Sequence, residues 1–347
     1  MIEIVYERLA DALDALPNGF PRTPSRVELR ILEKLFSHEE ARIASQMTRT
    51  METAEAISAR IGLSPDESRA RLLKMADKDL LWTSDEEGRQ VFRLAPFIVG
   101  IYEASEMDHE LAHLVEAYLS NGGAAGIMGP QPALHRVVPA QNAVKSERIL
   151  PYDDVKALLK RSKSFTLRSC ICREERKFAG HECRFPMRTC LSFSQNESPR
   201  HESSISKDEA IAFLDEAEEL GLVHTVRNVA KGIGYVCNCC GCCCGILRGI
   251  NDWGIENSVA SSNYLASIDP DECAGCGICV DRCQVHAISE DGGVSVVDLR
   301  KCIGCGLCAT GCPNGAAKLK RKPDSEIVTP PADFATWERE RLRDRGL

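Results

Sequence analysis

The sequence predicts a multidomain α+β protein, and three observations predict it. The first hundred residues show helical apolar spacing with helix caps, followed by a hairpin pattern. The middle sets two helical stretches among cysteine-rich loops, and the last third repeats one cysteine run beside short strand patterns. At 347 residues the chain exceeds one ordinary domain. Changes of pattern divide it at 1–100, 101–150, 151–261, 262–322 and 323–347.

In the first region Val27, Leu29, Ile31, Leu32 and Leu35 mark a helix, a second starts from Ser37, and a third covers Ala54 to Ile61. Ser64, Pro65, Asp66 and Glu67 supply an N-cap, a first-turn proline and first-turn acids for a helix reaching Leu81. Leu81 to Leu94 reads as a short hairpin around Glu86, Glu87 and Gly88. Helices followed by a hairpin give a winged-helix-like outline. Residues 1–100 nevertheless carry 14 Lys or Arg against 17 Asp or Glu, a net of −3. Arg69, Arg71, Lys74 and Lys78 are interleaved with Asp66, Glu67, Asp77 and Asp79. Phosphate contacts need an unopposed basic face, so a protein-docking or structural role is expected here rather than nucleic-acid binding.

Residues 104–120 read as one more helix, closed by Asn121, Gly122 and Gly123, and the glycines and prolines up to Leu150 read as a linker. The 151–261 module holds helical stretches from Asp153 to Lys160 and from Lys207 to Leu220, the latter capped by Ser206 and stopped by Gly221. The segment 323–347 reads as a surface tail with a short helix near Glu338 to Arg341.

A formal net charge of −8 argues against wholesale attraction to nucleic acid or to an anionic membrane. Glu3, Glu7, Arg8 and Asp11 interrupt any secretory apolar core, and the longest apolar stretch, Leu94 to Tyr102, is nine residues, far below the roughly 18 of a membrane span. A soluble, cytoplasmic protein without a membrane span is the expectation. In a reducing cytosol 18 clustered cysteines read as metal ligands rather than disulfides, and their crowding suits an anaerobic or well-protected setting.

The strongest motif is Cys273, Cys276, Cys279 and Cys283, repeated 29 residues later as Cys302, Cys305, Cys308 and Cys312 before Pro313. The same offset superposes Gly275 on Gly304, Gly277 on Gly306, Ala287 on Ala316 and Asp269 on Asp298. This is an internal duplication. Thiolates at three-residue steps let one tight loop wrap three irons of a cubane, and the intervening glycines aim amides at the sulfurs. Leu265 to Ile268 and Val294 to Val297 read as short strands before each run.

Over about 55 residues, Tyr264 to Leu319, this stretch resembles the two-cluster bacterial ferredoxins. The resemblance implies two [4Fe-4S] clusters, low-potential one-electron transfer, and an exchange in which each run's fourth cysteine serves the other cluster. Cluster one would then use Cys273, Cys276, Cys279 and Cys312, and cluster two Cys302, Cys305, Cys308 and Cys283. One departure is Gln284, where the family usually places proline.

The remaining ten cysteines are Cys170, Cys172, Cys183, Cys190, Cys237, Cys239, Cys240, Cys242, Cys243 and Cys244, in two loops separated by 46 residues. They are candidate ligands for one or two further Fe-S clusters, with zinc as the alternative, since both metals favour thiolates. Arg168, Arg173, Arg176, Lys177, Arg184 and Arg188 outnumber Glu174, Glu175 and Glu182 around the first loop, which suits anionic thiolate centres or a redox docking face. His181 and His201 read as solvated loop histidines. Taken whole, with its RSCICREER and VCNCCGCCCGILR loops, the chain resembles multi-cluster ferredoxin-like proteins of anaerobes, which implies a redox partner protein or a larger oxidoreductase complex.

Electron transfer between clusters, in service of a redox enzyme, is therefore the expected role. Two alternatives are an Fe-S redox sensor acting through the winged-helix-like region and a catalytic Fe-S subunit with an open iron position. No Ser-His-Asp set, phosphate loop or dinucleotide fingerprint supports stand-alone substrate chemistry, and no catalytic residue is assigned.

Overall fold

The computed structural model describes residues 2–144 and 149–347, so 145–148, within the expected linker, lie outside it. The chain falls into two units. The first runs to Pro130 and adds Glu175–His181 and Glu338–Leu347, and the second takes Gln131–Glu174 and Glu182–Trp337.

The first unit begins with helices Ile2–Asp14, Val27–Leu35 and His38–Ala44, then strand β1 (Glu52–Thr53) and helices Ala54–Ile61 and Pro65–Asp77. Ser37 with Glu40 and Ser64 with Glu67 each close a reciprocal capping box, satisfying amides that a helix start leaves bare. Strands β2 (Leu81–Glu86) and β3 (Arg89–Leu94) form the hairpin, and β1 joins its far edge in the order β1-β3-β2. The ion pairs Arg69–Glu55, Arg71–Glu39 and Lys78–Glu40 engage two arginines of helix Pro65–Asp77 and its C-cap lysine with nearby acids. Phe20 lies 4.8 Å from Phe97 and 4.9 Å from Tyr118 between ring centroids, at the heart of this unit's core.

Within the expected surface tail, helix Phe334–Asp344 buries two residues, Trp337 and Arg341, against that expectation. Arg341, fully buried in the first unit, donates to the carbonyls of Pro17, Ile127 and Pro130. Those carbonyls lie where the chain leaves helical structure and lacks internal donors, so a guanidinium with five N–H groups satisfies several at once.

In the second unit a seven-stranded sheet runs β10-β4-β8-β9-β6-β5-β7. Its strands are β4 (His135–Val137), β5 (Ser164–Ser169), β6 (Arg188–Ser194), β7 (Ser204–Ile205), β8 (Val223–Arg227), β9 (Tyr235–Cys239) and β10 (Val259–Ala260). All neighbours are antiparallel except β10 and β4. One face is apolar: Phe165, Leu191, Phe193, Val226 and Val236 pack with Leu159 of helix Val155–Arg161 and with Phe213 and Leu214 of helix Lys207–Leu220. The latter helix starts in a Ser206–Glu209 capping box and stops at Gly221 in the left-handed region. Because strand side chains alternate, Val236 and Asn238 are separated from Cys237 and Cys239, which belong to the opposite face.

The C-terminal part of this unit holds two small antiparallel ribbons. Strand β11 (Tyr264–Ile268) pairs with β14 (Ala317–Arg321), and β12 (Ile288–Asp291) pairs with β13 (Val294–Val297). Short helices Ile278–Asp281 and Leu307–Thr310 carry the third cysteine of each run, Cys279 and Cys308. Gly275 and Gly304, at matching positions of the repeat, both take positive φ, 61° and 70°. A Cβ there would meet backbone oxygen at 2.4 Å and 2.2 Å respectively, so both the turn and the close packing require glycine.

Candidate metal centres

The duplicated runs wrap two cavities. One is lined by Cys273, Cys276, Cys279 and Cys312 with Ile268 and Ala316; the other by Cys283, Cys302, Cys305 and Cys308 with Ile303 and Leu307. The fourth cysteine of each run thus lines the cavity of the other run. Backbone amides are directed at the sulfurs: Ser295 N–H to Cys273 at 3.5 Å, Ala317 N–H to Cys312 at 3.4 Å and Ala287 N–H to Cys283 at 3.1 Å. Such donors stabilise anionic sulfur.

The two cavities differ in their electrostatics. Amides of Ser295 and Gly275 hold the Cys273 thiol below its ordinary value. In the second cavity burial pushes Cys305 upward and Cys308 up to about 12. Thiols gathered in such an apolar pocket ionise only beside strong positive charge, which a bound iron cluster would supply. Cys276 is exposed, whereas the carbonyl of Cys305 accepts the Ala140 N–H at 2.8 Å, which roofs the second set with protein.

The ten middle cysteines separate into a knot and a row. The knot is Cys183, Cys240, Cys242 and Cys243, whose sulfurs all lie within 4.8 Å of one another, the one such set of three or more potential ligands among the described residues. Cys183 is 3.8 Å from both Cys240 and Cys242, and Cys242 is 3.6 Å from Cys243. Interactions from Cys240, Cys242 and Cys243 hold Cys183 far below the ordinary thiol range. The row runs sulfur to sulfur from Cys170 through Cys172, Cys244, Cys239 and Cys237 to Cys190. Its order follows from the fold: Cys190 and Cys237 are direct partners across β6 and β9, Cys239 ends β9, and Cys170 and Cys172 lie where β5 gives way to helix Ile171–Phe178.

Adjacent residues that would diverge on a strand therefore part into different groups, Cys239 to the row and Cys240 to the knot, and Cys243 to the knot and Cys244 to the row. Arg173 stands between. It is 1% exposed, donates to Thr189 Oγ1 and to Asn238 O at 3.0 Å, and has Cys240, Cys170, Cys183 and Cys239 as its close charge partners. A buried guanidinium demands anions, and Cys183 and Cys239, both held below the ordinary thiol range, are the partners suited to provide them. The donor set and its cation fit metal.

Two residues matter here, one that the sequence does not signal and one that it marks only as a departure from the ferredoxin pattern. His135, buried on β4, is bonded at Nε2 to the Tyr235 hydroxyl at 2.8 Å and at Nδ1 to Thr225 Oγ1 at 3.3 Å, and the same hydroxyl reaches Cys239 Sγ at 3.5 Å. Burial, aided by Arg227, pushes its pKa down to about 3, so it stays neutral. Gln284 is the other. Its Oε1 accepts the Gly241 N–H at 2.8 Å, inside the knot's turn, and its Nε2 donates to Gly221 O at 2.9 Å. A proline there would remove both bonds, which accounts for the departure from the ferredoxin pattern. His181 and His201 are not members of the four-ligand knot.

No described helix is long and apolar enough to cross a membrane. No curated protein matches the chain. Over residues 265–313, which carry both cysteine runs from their preceding strand to Pro313, the chain matches the family model described as a 4Fe-4S dicluster domain.

Proposed function

We propose that this chain carries single electrons between protein partners through two [4Fe-4S] clusters and a further Fe-S cluster on the middle sheet. The observation that carries the reading is the grouping of the eight C-terminal thiols around two cavities, four to each, with Cys283 and Cys312 exchanged between runs. Cys273, Cys276, Cys279 and Cys312 would hold cluster one, and Cys302, Cys305, Cys308 and Cys283 cluster two. When bound, each cluster supplies a reversible one-electron site without making or breaking substrate bonds.

The protein sets access and charge. Exposed Cys276 offers a redox partner a short approach to the first site, while the apolar wall of Ile303 and Leu307 and the loop at Ala140 keep water from the second. In the middle, the row of Cys170, Cys172, Cys244, Cys239, Cys237 and Cys190 offers six sulfurs, enough for one further cluster with two to spare. Arg173 balances its negative charge, and the Thr225 hydroxyl beside Cys239 damps it.

Residues 1–100, read as winged-helix-like, serve as a docking or structural module. Pairing of Arg69, Arg71 and Lys78 with acids supports that role over phosphate binding.

Iron and acid-labile sulfide analysis with low-temperature EPR on air-protected protein tests the reading. About twelve irons per chain are expected, about eight from the C-terminal domain and about four from the row. Iron-free protein would refute it, and about eight irons would remove the middle cluster.

A further inference from the structure

The knot of Cys183, Cys240, Cys242 and Cys243 is built for something other than a cubane. In a tetrahedral site with metal–sulfur bonds of about 2.3 Å, geometry places the sulfurs about 3.8 Å apart. Three of the knot's six sulfur separations, Cys183–Cys240, Cys183–Cys242 and Cys242–Cys243, are 3.6 to 3.8 Å, and all four sulfurs lie within 4.8 Å of one another. In a cubane each thiolate sits on its own iron at a different corner, so the sulfurs must stand much further apart. Among the described residues neither C-terminal set closes to the knot's spacing.

We propose that these four thiolates bind one tetrahedral, thiophilic divalent ion, zinc or iron(II), in a closed site with no open position. The ion is separate from every cluster of the proposed electron path. It would tie the loop at Cys183 to the turn at Cys240–Cys243, and both segments hold the dicluster domain. Arg184, next to Cys183, donates to Asp281 O at 3.3 Å, and Gly241, between two of the ligands, is bonded through its amide to Gln284. A Cβ on residue 241 would lie 2.1 Å from Gln284 O, so the two main chains meet in contact. Arg173 supplies positive charge beside Cys240 and Cys183, offsetting the net negative charge that four thiolates leave around a divalent ion.

The test is metal and sulfide stoichiometry on the full, air-protected chain, with X-ray absorption at the edge of the extra metal. Expected is one ion per chain unaccompanied by sulfide: zinc in one arm, or iron exceeding sulfide by one in the other. In the zinc arm the zinc-edge spectrum should show sulfur at about 2.3 Å and no metal neighbour, and in the iron arm the excess of iron over sulfide is the reading. Cys242→Ser should remove that one ion and leave cluster iron unchanged, while Cys190→Ser, in the row, should retain it. Loss of iron and sulfide together, about four of each, from Cys242→Ser would overturn the proposal. So would wild-type protein lacking both zinc and sulfide-free iron, a measurement that decides the matter even if the variant does not fold. Failure here would leave the dicluster reading untouched, since that reading rests on eight other thiols.

Discussion

The C-terminal runs and the middle knot use the same ligand in opposite ways. In the runs, three-residue steps and left-handed glycines spread each set of sulfurs around a cavity, and backbone amides at 3.1 to 3.5 Å face them. In the knot, a turn at the end of β9 crowds Cys240, Cys242 and Cys243 against Cys183, with a buried arginine beside them. Loop-borne thiols at regular spacing leave room for a large inorganic core, whereas thiols converging from a strand end and a facing loop leave room for a point. Sulfur count alone does not identify a centre; the distance between sulfurs does.

The sharpest way to break this contrast is to remove one ligand from the wide set. Cys308→Ser should cost about four irons and one EPR signal, against a single ion for Cys242→Ser. Equal losses would erase the distinction. Next in size, Arg173→Met strips the cation from between knot and row. A stability loss of about 3–5 kcal/mol in chemical denaturation is expected, with no change in the C-terminal EPR signals. If the melt is unaffected, the middle thiols are not anionic.

A smaller effect concerns His135. Its folded pKa of about 3 lies below the ordinary 6.5, so the unfolded chain binds the proton more readily and stability falls as pH drops from 6.5 towards 3. Between pH 6.5 and about 4.5 the wild type should lose roughly 2 kcal/mol relative to His135→Gln, read from paired denaturation curves. A pH-independent difference between the two proteins would exclude a neutral, buried imidazole. Smallest is Gln284→Ala, which leaves the Gly241 amide without its buried acceptor. About 1–2 kcal/mol should be lost while metal content stays constant.

Much of this was legible in advance, unevenly. The hairpin, the Ser64 and Ser206 N-caps and the strands before each cysteine run are local signals, and they lie where the residues indicate. The seven-stranded sheet was not legible. β4 lies in a stretch that reads as linker, and it is held by β8, some ninety residues away, so nothing nearby in sequence announces it. Division of the ten middle thiols was equally hidden. Adjacent cysteines part into different groups because β9 ends between Cys239 and Cys240, a boundary fixed by pairing with β8 rather than by composition. Burial of Trp337 and Arg341 escaped notice because charge dominates the C-terminal helix, and only their partners, the carbonyl of Ala133 for one and those of Pro17, Ile127 and Pro130 for the other, reveal the need for them.

The contact of Gly241 with Gln284 leaves no room for a methyl group, and this bears on how the protein can be taken apart. Ferredoxin modules are often imagined as cassettes that can be cut out or exchanged. Here a graft carrying proline at position 284, or any side chain at 241, would arrive with a mismatched seam, and excision before residue 262 would strip the Gly241 amide of its acceptor. Whoever engineers this chain should move the cysteine-rich sheet and the terminal domain together.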